Sequence, residues 1–212
     1  MNMYVTKERL IPILDKAFET KKPRTQTIEC QVTLKNYDFK KDVRFDSNCH
    51  LPFPKRAAER ILVIADNSLV DICVANNLQY VLTDDIKGNT KDKIKMKKKL
   101  CKKYHAFIGL QTYSRFFEMR IFAAKNKPVY TIKSAGELLA MYKDVQNIVK
   151  FKLRKSVNMH FCCGHTEMEK EQVAENISTA LLYLVGLLKK GMQNIDTIFI
   201  KNTQGSSIKL YG

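Results

Sequence analysis

Tryptophan is missing from this chain altogether, and nothing follows from that. Other absences exclude whole classes of function. No apolar run approaches the roughly 20 residues needed to cross a bilayer. The longest, Ile177 to Leu188, is broken by Ser178, Thr179 and Gly186. The N-terminal stretch Met1-Asn-Met-Tyr-Val-Thr-Lys-Glu-Arg-Leu10 has no basic head followed by an apolar core, so no secretory leader is expected. Cysteine is present but unpatterned. Residues 30, 49, 73, 101, 162 and 163 show no regular spacing, which reads as reduced thiols in a cytosolic protein. After the first apolar strand the chain reads Ala65-Asp-Asn-Ser-Leu69, with neither a glycine-rich phosphate cradle nor a Walker lysine–serine pair. No Ser-His-Asp set or pair of carboxylates stands out. The chain does not read as an enzyme, and no cofactor is expected.

Acidic residues are the scarce sign of charge. Lysine and arginine total 37 against 21 aspartates and glutamates, a formal charge of +16. An excess of this size implies a polyanionic partner, nucleic acid ahead of an acidic membrane. Hydrophobic residues make up 45% of the 212, enough for one large core or two small ones.

The pattern along the chain changes style twice. Residues 5–19 read as a helix with Thr6 as its candidate cap, and Thr25 to Leu34 alternates as a half-buried strand with Ile28, Cys30, Val32 and Leu34 on one side. Val43 to Leu51 reads as a second strand, ended by Pro52-Phe-Pro54. Short apolar strands then alternate with helices: Arg60–Ala65, Tyr80–Leu82, Ala106–Leu110 and Tyr130–Ile132, with helices expected at 67–76, 90–104 and 134–143. That alternation predicts an α/β unit with a parallel sheet. From Asn147 the first style returns, with a long strand expected to Phe161, a helix over 167–190 capped by Thr166, and a strand over Ile195–Lys201. The expected architecture is therefore α/β in two domains. A discontinuous split α+β domain, 1–58 plus 147–212, carries an inserted parallel-sheet α/β domain, 59–146. Their formal charges are +9 and +7, so charge does not choose between them as the nucleic-acid binder.

Four segments carry candidate chemistry. Leu34-Lys-Asn-Tyr-Asp-Phe-Lys-Lys-Asp-Val-Arg-Phe45 and Ile200-Lys-Asn-Thr-Gln-Gly-Ser-Ser-Ile-Lys-Leu-Tyr211 are strand-like runs breaking into turns rich in Lys, Asn, Asp, Thr and Gly. Hydroxyls, amides and backbone N–H groups suit sugar and phosphate oxygens, and lysines neutralise phosphate. Asn89 to Lys103 holds eight lysines with Asp92 as the lone acid, and Met96, Leu100 and Tyr104 recur at helical spacing. It reads as an amphipathic helix with a secondary basic face including Lys91, Lys95, Lys98, Lys99 and Lys102. A solvated face of this kind can serve solubility alone. The string His160-Phe-Cys-Cys-Gly-His165 has ligand types but no paired Cys-x-x-Cys spacing, and neighbours on a strand point apart. No metal is expected there.

At these residues the chain resembles the universal large-subunit ribosomal protein L-one family in its eukaryotic form, called L-ten-a. Lys99-Leu-Cys-Lys-Lys-Tyr-His-Ala-Phe107 fits that family's Lys-Lys-Tyr-Asp-Ala-Phe element, and Gly164-His165 followed by Met168 fits another. The similarity covers nearly the whole chain and is strongest over 25–46, 99–110, 147–155 and 166–205. The family fold, a split domain with a Rossmann-like insert, agrees with the layout above. The resemblance implies a structural constituent of the large ribosomal subunit in the cytoplasm. Its implied partner is rRNA of the mobile stalk at the tRNA exit site, with exit-site tRNA contacted transiently as deacylated tRNA leaves. It also implies a monomer off the ribosome, with no membrane partner. The implied RNA-binding residues are Lys35, Asn36, Lys40, Lys41, Arg44, His165, Lys201, Thr203, Gln204, Gly205 and Lys209, with Lys35, Lys40, Lys41 and Arg44 brought near the Thr203–Gly205 turn.

Two departures stand out. The family turn Thr-Met-Gly is Thr203-Gln204-Gly205 here, exchanging apolar packing for an amide. The family's glycine- and proline-rich signature in the second domain corresponds to Arg115 to Pro128, which has no glycine. A divergent ribosomal protein accommodates that change, and so does an assembly factor sharing the fold.

Overall fold

The computed structural model describes residues 7–19, 25–38, 41–42, 44–88, 90–113, 127–153 and 156–212. The chain divides into two compact units, Met1–Ala57 with Gln146–Gly212, and Ala58–Val145.

The discontinuous unit is built around strand β1 (Thr27–Leu34). Its odd positions face away from the core and its even positions, Ile28, Cys30, Val32 and Leu34, are buried. On one side β1 pairs antiparallel with β8 (Asn158–His165), on the other with β9 (Ile195–Asn202), and β9 continues to β10 (Ser207–Tyr211). The sheet order is β10-β9-β1-β8. Helix α1 (Lys7–Glu19) and the long helix α6 (Lys170–Leu187) cover one face. Leu10, Leu14, Val173, Ile177, Ala180, Leu181 and Leu184 meet the even side of β1 and Ile198 and Ile200 of β9 in one core. A two-stranded ribbon, β2 (Asp46–His50) with β7 (Ile148–Lys152), is joined to the same core by Phe151. Its ring meets Phe161 edge-on at 4.9 Å and stacks on Tyr183 at 6.0 Å.

The inserted unit is a four-stranded sheet, order β4-β3-β5-β6, with all pairings parallel. Its strands are β3 (Ile61–Ala65), β4 (Tyr80–Leu82), β5 (Ala106–Leu110) and β6 (Val129–Ile132). Every residue of β3 is buried, as a strand covered on both faces requires. Helix α2 (Asn67–Ala75) starts where Asp66 accepts from the Asn67 N–H at 2.8 Å. Helices α3 (Thr83–Ile86), α4 (Lys91–Lys103) and α5 (Leu138–Asn147) complete the described α-helices.

Three expectations change. The long strand read over 147–161 is two strands: Asn147 ends α5, β7 stops at Lys152 and β8 begins at Asn158. They belong to different sheets, since β7 pairs with β2 and β8 with β1. Period-two alternation marks a strand but not the point at which it changes partner. Helix α6 starts at Lys170 and not beside Thr166, whose N–H donates to Gln26 O at 2.9 Å and whose hydroxyl accepts from Gln26 N at 3.1 Å. Thr166 prolongs the β1–β8 ladder instead of capping a helix. The second strand begins at Asp46, and Thr6 and Val43 lie outside the described residues.

Asn176, fully buried on α6, secures the loop after β2. Its carbonyl oxygen accepts from Phe53 N at 3.1 Å, and its amide donates to Phe53 O at 3.2 Å and Cys163 O at 2.8 Å. Replacing it by leucine leaves the Phe53 N–H without that acceptor. Asn176→Leu is expected to lose about 3 kcal/mol in urea unfolding, whereas Leu182→Ser, on the exposed side of the same helix, stays within about 0.5 kcal/mol. Equal losses would contradict the role given to the amide.

Candidate nucleic-acid interface

The helices of the discontinuous unit occupy one face of its sheet, so the other face is set by the alternation of the strands. Thr27, Glu29, Gln31 and Thr33 project there from β1 and are only half-buried. Cross-strand register assembles rows. Lys209, Phe199, Gln31 and His160 are successive partners across β10, β9, β1 and β8. Ser207, Lys201, Glu29 and Cys162 form the next row, and Thr197, Thr33 and Asn158 a third. Strands about 4.8 Å apart give each four-strand row a width of about 14 Å. One partly exposed ring, Phe199, thus sits among an ammonium, an amide and an imidazole. Towards β8 the second row is covered by Lys55, whose carbonyl accepts from Cys162 Sγ at 3.0 Å.

The described residues among those implied to bind RNA do not all come together: Thr203–Gly205 and His165 lie at one end of this face, Lys201 and Lys209 along it, and Lys35 and Asn36 past its other end. At one end Thr203 N and Oγ1 both donate to Thr27 O, at 3.1 and 3.0 Å, and Gly205 N donates to Asn202 O at 3.0 Å. His165 is the partner of Thr27 on the opposite side, so Thr203, Thr27 and His165 line this end. His165 Nδ1 accepts from Glu167 N at 3.3 Å, which leaves the Nε2 proton available on a neutral ring. Partial burial lowers the His165 pKa below its ordinary value, with Glu167 opposing. Gln204 is exposed at the turn, and Lys201 and Lys209 stand one and two rows along the face.

Lys35 and Asn36 lie just beyond the other end of β1, and Lys41 and Arg44 follow them in the chain. Lys35 N donates to Asn194 O at 2.8 Å, and the buried Asn194 amide donates to Lys35 O at 3.2 Å and Asn36 O at 3.4 Å. Asn36 takes a left-handed backbone, φ 53°, which asparagine tolerates. Lys35 Nζ is 3.9 Å from Asp196. Lys41 N closes a turn on Asp38 O at 3.1 Å, and Lys41 and Arg44 are exposed. Lys40 lies outside the described residues. The expectation that Lys35 comes near Thr203–Gly205 is therefore corrected. For Lys35 β1 runs between, and the length of that strand separates Lys35 from Thr203 by about 23 Å. Both flank β1, but one follows its end and the other pairs with its start.

Sequence reasoning missed Phe199 and His160 as members of the face, and it placed Glu29 and Gln31 on the polar side of β1 without counting them among the binding residues. The alternation that revealed the buried side of β1 also held the signal for its polar side. Register was needed to align it with β9 and β10. On β7, Lys150 and Lys152 are both paired with Asp46, Lys150 at 3.1 Å. The secondary basic face lies on α4 of the other unit, where Lys91, Lys95, Lys98, Lys99 and Lys102 are all exposed. In the His160–His165 string, burial first and then the neighbouring Cys30 thiol hold Cys163 well above its ordinary pKa, so it stays a thiol. Among the described residues no three His, Cys, Asp or Glu side chains converge on a metal position. Of the stretch 115–128, only Lys127 and Pro128 are described.

Fold and site together define the class: an α/β protein whose discontinuous unit carries a polar sheet face bordered by lysines, interrupted by a parallel-sheet insert. Residues 15–206 match the model of the ribosomal protein L1p/L10e family. The chain is 34% identical over 202 residues to large ribosomal subunit protein uL1A of Schizosaccharomyces pombe, covering 94% of this chain and 93% of that one. It is 34% identical to the uL1 protein of Entamoeba histolytica, with 88% of each chain covered, and 32% identical to that of Oryza sativa subsp. japonica, with 98% and 97% covered. The chain belongs to the ribosomal protein L1p/L10e family. Proteins of this family are structural constituents of ribosomes and not enzymes.

Asp46 provides a pH test of the β2–β7 ribbon. Partial burial alone would raise its carboxyl, but the hydrogen bonds from Lys152 and Lys150 outweigh that and hold it below the ordinary range. A depressed carboxylate stabilises the fold above its unfolded value of about 3.9 and loses that contribution as pH falls through its folded value. Asp46→Asn is therefore expected to be less stable than the parent near neutrality. Their urea midpoints should converge as pH drops below about 4, and a gap independent of pH would contradict the pairing.

Proposed function

We propose that this chain is a constituent of the large ribosomal subunit in the cytoplasm, that it binds rRNA helices of the mobile stalk beside the tRNA exit site, and that it assists release of deacylated tRNA. The face of the β10-β9-β1-β8 sheet turned away from the helices is the rRNA surface in this reading. One observation carries it: in a member of a ribosomal protein family, this face aligns Lys209, Phe199, Gln31 and His160 across four strands. Lysines supply phosphate attraction, and amide, hydroxyl and imidazole groups bond sugar and base edges. Lys201, Lys209, Thr203, Gln204, Gly205 and His165 serve one end and side of the face. Lys35 and Asn36 serve the other end, and with Lys40, Lys41 and Arg44 of the same segment they contact a second stretch of the same RNA. Exit-site tRNA is a transient partner, and the protein is a monomer off the ribosome.

Structured-RNA recognition separates from charge attraction by its specificity and salt response. The protein is expected to bind stalk rRNA roughly three orders of magnitude more tightly than a scrambled RNA of equal length, at moderate salt. Thr203→Val combined with Gly205→Val should weaken stalk binding by about tenfold or more, a loss of at least about 1.4 kcal/mol. Equal affinity for both RNAs, collapsing together as salt rises, would refute the reading.

A further inference from the structure

Helix α4 carries the lysine-rich segment, and its lysines divide by what they touch. Lys93 Nζ donates to Asp84 O at 2.8 Å and to Lys87 O at 2.7 Å. Lys97, only 7% exposed, donates to Gly88 O at 2.9 Å. These two ammonium groups satisfy carbonyls at and just after α3 and fasten α4 to that turn. Lys103 lies over the Tyr104 ring, 5.3 Å from its centre. The side of α4 that holds Lys97 also holds Leu100 and Cys101, which pack in the core of the inserted unit.

The remaining lysines have a different geometry. Lys91, Lys95, Lys98 and Lys102 recur at i, i+4, i+7 and i+11, so they fall within one narrow stripe along the helix. All four are exposed, and Lys99 stands beside them. At about 1.5 Å per residue the stripe is about 17 Å long, with steps of about 4.5 to 6 Å between charges. Such steps are comparable with the separation of successive phosphates along one nucleic-acid strand. Asp92 is the lone acid of α4 and lies off the stripe.

We propose that this stripe is a second nucleic-acid site, separate from the sheet face, which follows a single phosphodiester strand and reads its charge without reading its bases. Three observations favour that partner. A line one side chain wide matches one backbone, whereas a duplex presents two. Helix α4 contains no aromatic residue, so it offers no ring on which a base could stack. Its apolar side is committed to the unit's own core, which leaves no apolar face to enter a bilayer. The fastening by Lys93 and Lys97 holds the stripe on a fixed support, so ordering it on binding costs side-chain freedom only.

The test uses the full chain with Lys201→Gln and Lys209→Gln already in place, so that failure of the sheet-face reading is separable. Binding of a 20-residue oligouridine is measured as a function of salt, with and without Lys91→Gln, Lys95→Gln, Lys98→Gln and Lys102→Gln. The plot of log affinity against log salt should become shallower by about 3, from about 0.7 per single-strand phosphate released. The corresponding four Lys→Arg changes should keep the parent slope. Lys97→Gln should lower the unfolding midpoint and leave the slope unchanged. An unchanged slope in the four-glutamine variant would overturn the proposal. So would stripe-dependent binding that is tighter to phosphatidylserine vesicles, or to duplex RNA of the same length, than to oligouridine.

Discussion

The centre of the discontinuous unit is a strand from the start of the chain held between two strands from its end, and the rest of that unit depends on this double pairing. Thr27 of β1 has His165 as its partner on one side and receives two hydrogen bonds from Thr203 on the other. Neither half of the unit can complete the sheet alone, because β1 without β8 and β9 has two unsatisfied edges. The insert leaves and re-enters between them without interrupting any strand of that sheet. Non-local pairing of this kind is slow to form, but once formed it fixes which side chains share a row. The rows containing Gln31, Phe199 and Lys201 exist only because the register exists.

Packing against the helices sharpens the same arrangement at its β8 side. The β1–β8 register shifts between Ile28 and Glu29, leaving Cys163 as the additional residue of a bulge. Next to it, a side chain on Gly164 would begin 2.9 Å from a Val173 methyl and 3.2 Å from the Met168 sulfur. That contact gives a physical reason for glycine before His165 and for Met168 after it: the strand end lies tight on the first turn of α6, and His165 is carried to the end of the face.

Much of this was legible from residue order. The alternation of Thr27–Leu34 marks a half-buried strand, the unbroken apolar run of β3 marks a parallel sheet, and the amphipathic spacing of 170–187 marks the helix over the core. Local patterns report local environment, and these elements are decided locally. The site was less legible for the same reason. Nothing in Leu34–Phe45 or Ile200–Tyr211 states that β1 antiparallel to β9 sends Lys35 and Thr203 to opposite ends. Nor does a run of lysines disclose that Lys93 and Lys97 turn back to carbonyls while Lys91, Lys95, Lys98 and Lys102 line up in solvent. Those distinctions come from register and tertiary hydrogen bonding.

The central claim is that RNA lies along the helix-free face of the sheet, from Thr203 to Lys35. Backbone and side-chain NMR of the labelled full chain, titrated with a stalk rRNA fragment, tests it directly. The account predicts shifts concentrated at Gln31, Phe199, Lys201, Lys209 and His160 and reaching both ends of β1, while α1 and the buried side of α6 stay unmoved. Shifts confined to α4, with the sheet face silent, would contradict it.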